Sequence, residues 1–276
     1  MNISQKILSE GIDINFAEKT VSYNDSHQKN VDTSEISNPT VDDTSMPGIK
    51  IWSAFKRKES SEHNADGNPL LYALKGIGGW KFKTPGDEYS INRQLDKIIK
   101  KFADEHKIGL TVVIPSSSKL NTDLANRIRS VNHETVIIDD IICKLNTREV
   151  WDIVMDENSD FRKSIGADPK KLDTMLKELS RNLKKMDEEK NSVFTRHMVK
   201  NPDIRNLLSK TLKASNDPGA DYSYLINGRD ILVLDDTVSR GQTIKEACDI
   251  LNTSYFPKSI TVFTIMSKKY DDLDNA

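Results

Sequence analysis

Four consecutive apolar residues, Ile231, Leu232, Val233 and Leu234, run directly into two carboxylates, Asp235 and Asp236. A short apolar run of this kind fits a strand covered on both faces, as the strands of parallel sheets are. Two acids at its end put charge where open α/β sheets bind ligands, outside the carboxyl ends of the strands. Thr237, Val238, Ser239, Arg240, Gly241, Gln242 and Thr243 follow, and residues 244–251 then carry apolar side chains with a helical period. The unit therefore reads as strand, acid pair, hydroxyl-rich loop and helix. The first N–H groups of a helix have no intrahelical partner and carry the positive end of its dipole, so an anion sits well there. Gly241 lets the backbone approach a ligand without a side chain in the way. Ser239 and Thr243 add hydroxyl donors. Acceptors for hydroxyl groups beside a cradle for one phosphate are what a sugar phosphate requires.

The chain ahead of this unit has matching rhythm. Residues 110–114 form an apolar run closed by Pro115, and Ser116, Ser117, Ser118 and Lys119 form a small polar loop. Residues 120–131 have Leu124, Ile128 and Val131 in helical phase, and residues 135–138 read as a second strand. Residues 259–266 read as a further strand after the turn at Pro257. Strand, loop, helix, strand is the opening of a doubly wound parallel sheet, so the expected class is α/β.

The segment 231–243 resembles the phosphoribosyl pyrophosphate (PRPP) binding motif of the type I phosphoribosyltransferases. That motif is four apolar residues, two acids, a few small or hydroxyl residues, Gly, any residue, then Ser or Thr. The resemblance implies that Asp235 and Asp236 hold the ribose 2′- and 3′-hydroxyls and that Thr237 through Thr243 wrap the 5′-phosphate. Where Thr usually precedes the glycine this chain has Arg240, as the glutamine amidophosphoribosyltransferases do. Position 2 is Asn rather than the cysteine of their glutaminase domain, so the full purine enzyme is not expected. The order of elements, with Ala73, Leu74 and Lys75 ahead of the first core strand, also looks like the competence-protein-F-like phosphoribosyltransferases over roughly residues 68–267. Ser116 to Lys119 then stands where the family places its pyrophosphate loop, although this loop has three serines and no glycine.

The resemblance implies transfer of a phosphoribosyl group from PRPP to a nitrogen acceptor, with release of pyrophosphate. It implies Mg²⁺, which Asp235 and Asp236 meet only indirectly, through Mg–PRPP. The alternative is a regulatory protein on the same fold that senses PRPP or a phosphorylated nucleotide, a group that includes accessory proteins of bacterial defence systems. Family members usually close a basic loop over the site, for which Arg148, Arg196 and Lys200 are the candidates here.

Composition narrows the remainder. The 276 residues include 40 Lys and Arg against 42 Asp and Glu, a net charge of −2, which argues against a dedicated nucleic-acid binder. Two cysteines supply neither a disulfide framework nor a four-cysteine zinc site, and the five histidines have no ligand spacing. No apolar run approaches the roughly 20 residues that span a bilayer, so no membrane partner and a cytoplasmic location are expected.

Three regions are expected. Residues 1–47 carry three basic and eight acidic residues, and residues 24–47 are polar without period, so they read as an acidic extended arm. Residues 48–107 read as a small hood-like α+β segment. It has strands at 49–56 and 69–75, a polar turn between them, and a helix at 87–106. Residues 108–276 form the phosphoribosyltransferase-like core, with a helical insertion at about 145–215 whose helices are expected at 169–190 and 199–214. Residues 169–200 hold nine basic and five acidic side chains, a net of +4, which makes the insertion the expected contact for a protein or nucleic-acid partner. A homo-oligomer is also expected. A second acid pair, Asp139 and Asp140, ends the strand at 135–138, but no glycine loop follows it. It is read as a solvated strand end.

Overall fold

The computed structural model describes residues 9–58, 68–116, 118–166, 168–190, 192–195, 198–208, 210–215, 222–238 and 241–270. The elements in chain order are β1 (Gly11–Asn15), β2 (Thr20–Asn24), β3 (Val31–Asp32), β4 (Thr40–Asp42), β5 (Lys50–Lys58), α1 (Asn68–Lys75), β6 (Lys81–Phe82) and α2 (Pro85–Glu105). There follow β7 (Leu110–Val113), α3 (Leu120–Val131), β8 (Val136–Ile138), β9 (Ile142–Lys144), α4 (Thr147–Met155), α5 (Asp160–Ile165), α6 (Pro169–Lys190) and α7 (Pro202–Leu207). The chain closes with β10 (Leu212–Ala214), α8 (Ser223–Ile226), β11 (Asp230–Thr237), α9 (Gln242–Ser254) and β12 (Ser259–Tyr270). Two compact units result. The first is drawn from residues 1–139, 224–241 and 257–276, the second from 140–223 and 242–256.

The first unit is α/β, built on a mixed sheet with the order β3-β5-β12-β11-β7-β8. Strands β5, β12, β11, β7 and β8 are mutually parallel, whereas β3 and β4 pair antiparallel with β5 at the edge. Leu232, Val233 and Leu234 stand opposite Thr111, Val112 and Val113, which is the parallel pairing expected of the two apolar runs. All four residues of β7 are buried, as are the six central residues of β11. That burial explains why these strands show no polar alternation.

Helix α2 opens on a capping box, Thr84 with Asp87, and has proline in its first turn. It buries Ile91, Leu95, Ile98, Ile99 and Phe102 at three- and four-residue steps in the same core as Leu124 and Ile128 of α3 and Phe263 of β12. Among the described residues no helix is long and apolar enough to cross a membrane.

Several expectations are corrected. Residues 11–42 are not an extended arm. β1 and β2 form an antiparallel hairpin, β3 and β4 join the main sheet, and Ile12, Val21 and Val31 lie fully inside the core. β1, β2 and β3 each bury one apolar side chain fully, with Ile14 and Tyr23 partly buried beside them, while Val41 of β4 is exposed, so the polar residues around them dominate the pattern. Residues 69–75 are helix rather than strand. Pro69 stands in the first turn of α1, where its missing N–H costs nothing, and Leu70, Leu71 and Ala73 turn into the core. β11 continues through Thr237, so the acid pair belongs to the strand itself. The expected polar turn falls largely on residues 59–67, outside the described residues.

The second unit is mainly helical. Leu179, Leu183 and Met186 of α6 pack with Val150 and Val154 of α4, Phe161 of α5 and Ile204 of α7. The helix expected at 169–190 has those bounds. The one expected at 199–214 stops at Leu207, and the chain then becomes strand β10, antiparallel to β9. The carboxylate of Glu246 on α9 accepts the backbone N–H groups of Thr211 and of Leu212, the latter at 2.6 Å. A helical turn would have claimed those groups for itself, so the side-chain acceptor holds the chain extended.

Candidate functional site

β7 leads to β8 on one side of the sheet and β11 leads to β12 on the other, so the strand order reverses between β7 and β11. Such a switch point opens a crevice at the carboxyl ends of the strands, the usual ligand position in open α/β sheets. Asp235 and Asp236 lie at that end of β11, and Ser116 follows β7. The chain thus brings together the acid pair and the start of the serine loop.

Both carboxylates are largely buried, with Asp235 8 % and Asp236 7 % exposed. Burying a charge is costly unless it is paired and hydrogen-bonded, and each acid meets that cost differently. Lys75, the last residue of α1, places its Nζ 2.6 Å from Asp236 Oδ2. Ser116 Oγ donates to the same oxygen at 3.4 Å. Asp235 Oδ1 accepts the backbone N–H of Asp236 at 2.9 Å and the Asn121 side-chain amide at 3.2 Å. Asp235 Oδ2 and Asp236 Oδ1 accept nothing from the described residues. Among the described residues one oxygen of each acid is therefore tied to the protein and the other is open, an arrangement that suits two neighbouring hydroxyl donors.

Burial pushes Asp235 up to about 7, with the adjacent Asp236 carboxylate adding to the effect. The Asp236 N–H, the Asn121 amide and the Lys75 ammonium pull the other way.

The remaining expected site residues are placed as follows. Ser118 Oγ lies 3.3 Å from Ser116 Oγ, and the Ser118 N–H donates to Ser116 Oγ, so the described part of the loop is tied to itself. Lys119 is exposed at the N-terminal boundary of α3 and makes no capping bond, and Ser117 lies outside the described residues. Thr237 keeps a buried hydroxyl without a partner among the described residues. Val238 is buried and donates its N–H to Met266. Ser239 and Arg240 lie outside the described residues.

Gly241 has φ +67°, a conformation that a side chain disfavours, and a Cβ there would come within 2.7 Å of Met46 Cε. The requirement for glycine is thus conformational, since the end of the flexible Met46 side chain can move aside. Gln242 and Thr243 begin α9, in the second unit.

The second acid pair behaves as expected of a solvated strand end. Asp139 and Asp140 are exposed, Tyr222 donates its hydroxyl to Asp140, and the chain continues into β9 without a glycine loop. Of the basic candidates in the insertion, the Arg148 side chain is 89 % exposed and stands 4.0 Å from Asp152, Lys200 is exposed, and Arg196 lies outside the described residues.

Lys75 and Asn121 were not singled out as partners of the acids from the sequence. Asn121 was detectable: it shares a helical face with Leu124, Ala125 and Ile128, and a polar residue on an apolar face signals a buried polar contact.

Direct ligation of a metal fits these residues poorly. Asp236 already holds an ammonium, and no third His, Cys, Asp or Glu joins the two acids among the described residues. No protein-family model matches the sequence, and no curated protein matches it at a significant level.

Proposed function

We propose that the protein binds PRPP at the carboxyl end of β11 and transfers its phosphoribosyl group to a nitrogen acceptor. The observation that carries this reading is the pair Asp235 and Asp236, each with one open oxygen, beside the strand-order reversal and inside a segment that resembles the PRPP motif. The reading includes a type I phosphoribosyltransferase-like core.

In the reaction the acceptor nitrogen forms a bond to the anomeric carbon. The bond from that carbon to pyrophosphate breaks, the electron pair leaves on pyrophosphate, and the acceptor gives up its proton to solvent. The open oxygens of Asp235 and Asp236 accept the ribose hydroxyls and hold the ring in place. Negative charge beside the ring also favours the cationic character that develops at the anomeric carbon. Mg²⁺ carried by PRPP would supply positive charge to the leaving group, and Asp235 and Asp236 would meet it only through the ribose hydroxyls.

One observation favours the sensor reading. Lys75 occupies Asp236 Oδ2, so the field of that acid is partly offset before any ligand arrives. Incubation with PRPP and Mg²⁺ over a panel of nucleobases and amines, with pyrophosphate release as the readout, separates the two. Release with one acceptor supports the transferase. Binding without release under any acceptor supports the sensor, and absence of binding overturns both.

A further inference from the structure

Asn121 sits beneath the acid pair and is 1 % exposed. Its Nδ2 donates to the Ile114 carbonyl at 2.9 Å and to Asp235 Oδ1 at 3.2 Å. Both partners are acceptors, so the amide must present its NH₂ group to them. The reversed orientation would set oxygen against oxygen. The first contact anchors the side chain to the residue that follows β7, and the second fixes a carboxylate on β11. Asn121 thus links the two strands that border the switch point. Its own Oδ1 is buried without a partner among the described residues.

The consequence lies in the geometry of Asp235. A carboxylate held by one hydrogen bond can still swing about its last bond, whereas two donors from different directions on the same oxygen fix its plane. Asp235 Oδ1 already takes the Asp236 N–H, and the Asn121 amide is its second donor. With Oδ1 filled, Oδ2 is the oxygen left without a donor among the described residues.

We infer that Asn121 is a positioning residue for sugar recognition: it sets the rotation of Asp235 and so determines that one hydroxyl of a ribose 5-phosphate is read. This rests on the reading of the acid pair as a ribose site. A residue that holds the fold alone would change affinity for all sugars together. A residue that orients one carboxylate changes discrimination at one hydroxyl.

The test is isothermal titration of ribose 5-phosphate and its 2-deoxy and 3-deoxy forms into the wild type, Asn121→Leu and Asn121→Ala, with thermal melts of all three proteins. Asn121→Ala removes the donor without adding bulk or charge beside Asp235, so it covers the case in which Asn121→Leu fails to fold. The wild type is expected to prefer ribose 5-phosphate over each deoxy form by roughly tenfold or more, as a charge-assisted hydrogen bond provides. In the variants the preference at one hydroxyl falls to within about twofold while the preference at the other persists. Variants that keep both preferences, or lose both in parallel with a fall in Tm, overturn the inference. A crystal structure of either variant with Asp235 in its original rotation also overturns it, whatever the ligand. A wild type that binds none of the sugars overturns the ribose reading itself, which the crystal structure distinguishes from a failure of Asn121 to position Asp235.

Discussion

Lys75 Nζ and Asp236 Oδ2 stand 2.6 Å apart, with about a seventh of the lysine side chain and a tenth of the aspartate side chain exposed. The pair joins the end of α1 to the carboxyl end of β11, two elements far apart in sequence. A pair this buried contributes little net stability, because desolvation offsets most of the attraction, but removing one partner strands the other.

Lys75→Met is therefore expected to destabilise the protein by about 3 kcal/mol, as stranded buried charges do. Asp236→Asn in the same background is expected to recover most of that loss. A double-mutant cycle from urea melts measures the coupling, and additive losses would show that the two side chains do not interact.

Asp235 gives a pH signature of defined sign. Its ordinary value is 3.8, and burial beside Asp236 raises it to about 7 in the folded protein. Between these values the folded state holds a proton that the unfolded chain has released. The contribution to stability is thus fully present below the unfolded value and is lost as pH rises through the folded one. Stability of the wild type relative to Asp235→Asn should fall from about pH 4 to pH 7 and then level off. Urea melts of both proteins across this range check it; parallel profiles would contradict it.

The N-terminal strands are expected to be part of the fold rather than an appendage. Ile12 is fully buried in the core of the first unit. Ile12→Ala should cost about 2–4 kcal/mol, a loss typical of a buried isoleucine truncated to alanine. A change in melting below about 1 °C would show that the hairpin does not contribute to the core, since 1 kcal/mol moves Tm by a few degrees in a domain of this size.

These cases mark what the sequence makes legible. Continuous apolar runs announce β7, β11 and β12, because strands buried on both faces need no polar side. The long periods of α2, α3 and α6 are equally plain. The acid pair is legible because two carboxylates at the end of an apolar run have few structural uses. Ile12, Val21 and Val31 are hard to read, since their strands are at most five residues long and offer at most two inward apolar or aromatic positions among polar neighbours. β10 is hidden for another reason: the acceptor that keeps it extended, Glu246, comes from a distant helix. The Lys75 contact is likewise tertiary, because nothing near Lys75 in the chain names its partner. The Asn121 contact left a local trace, a polar residue on the apolar face of α3.

The two cysteines should differ in reactivity. Cys248 on α9 is 1 % exposed, and burial pushes its thiol up to about 12, with Asp249 adding to the effect. Cys143 on β9 is half-buried. Iodoacetamide under native conditions should modify Cys143 well before Cys248, since alkylation requires an accessible thiolate. Mass spectrometry of the digested protein reads the sites, and equal labelling would contradict the burial of α9.

The central claim is that Asp235 and Asp236 grip the ribose of a PRPP-like ligand. Isothermal titration of PRPP with Mg²⁺ into the wild type and into the Asp235→Asn, Asp236→Asn double variant tests it most directly, with Asp140→Asn as the control at the second acid pair. The expected result is binding by the wild type and by Asp140→Asn, and at least a hundredfold weaker binding by the folded double variant, since two charge-assisted hydrogen bonds are weakened together. A wild type that does not bind PRPP, or a double variant that binds it equally well, would contradict the account.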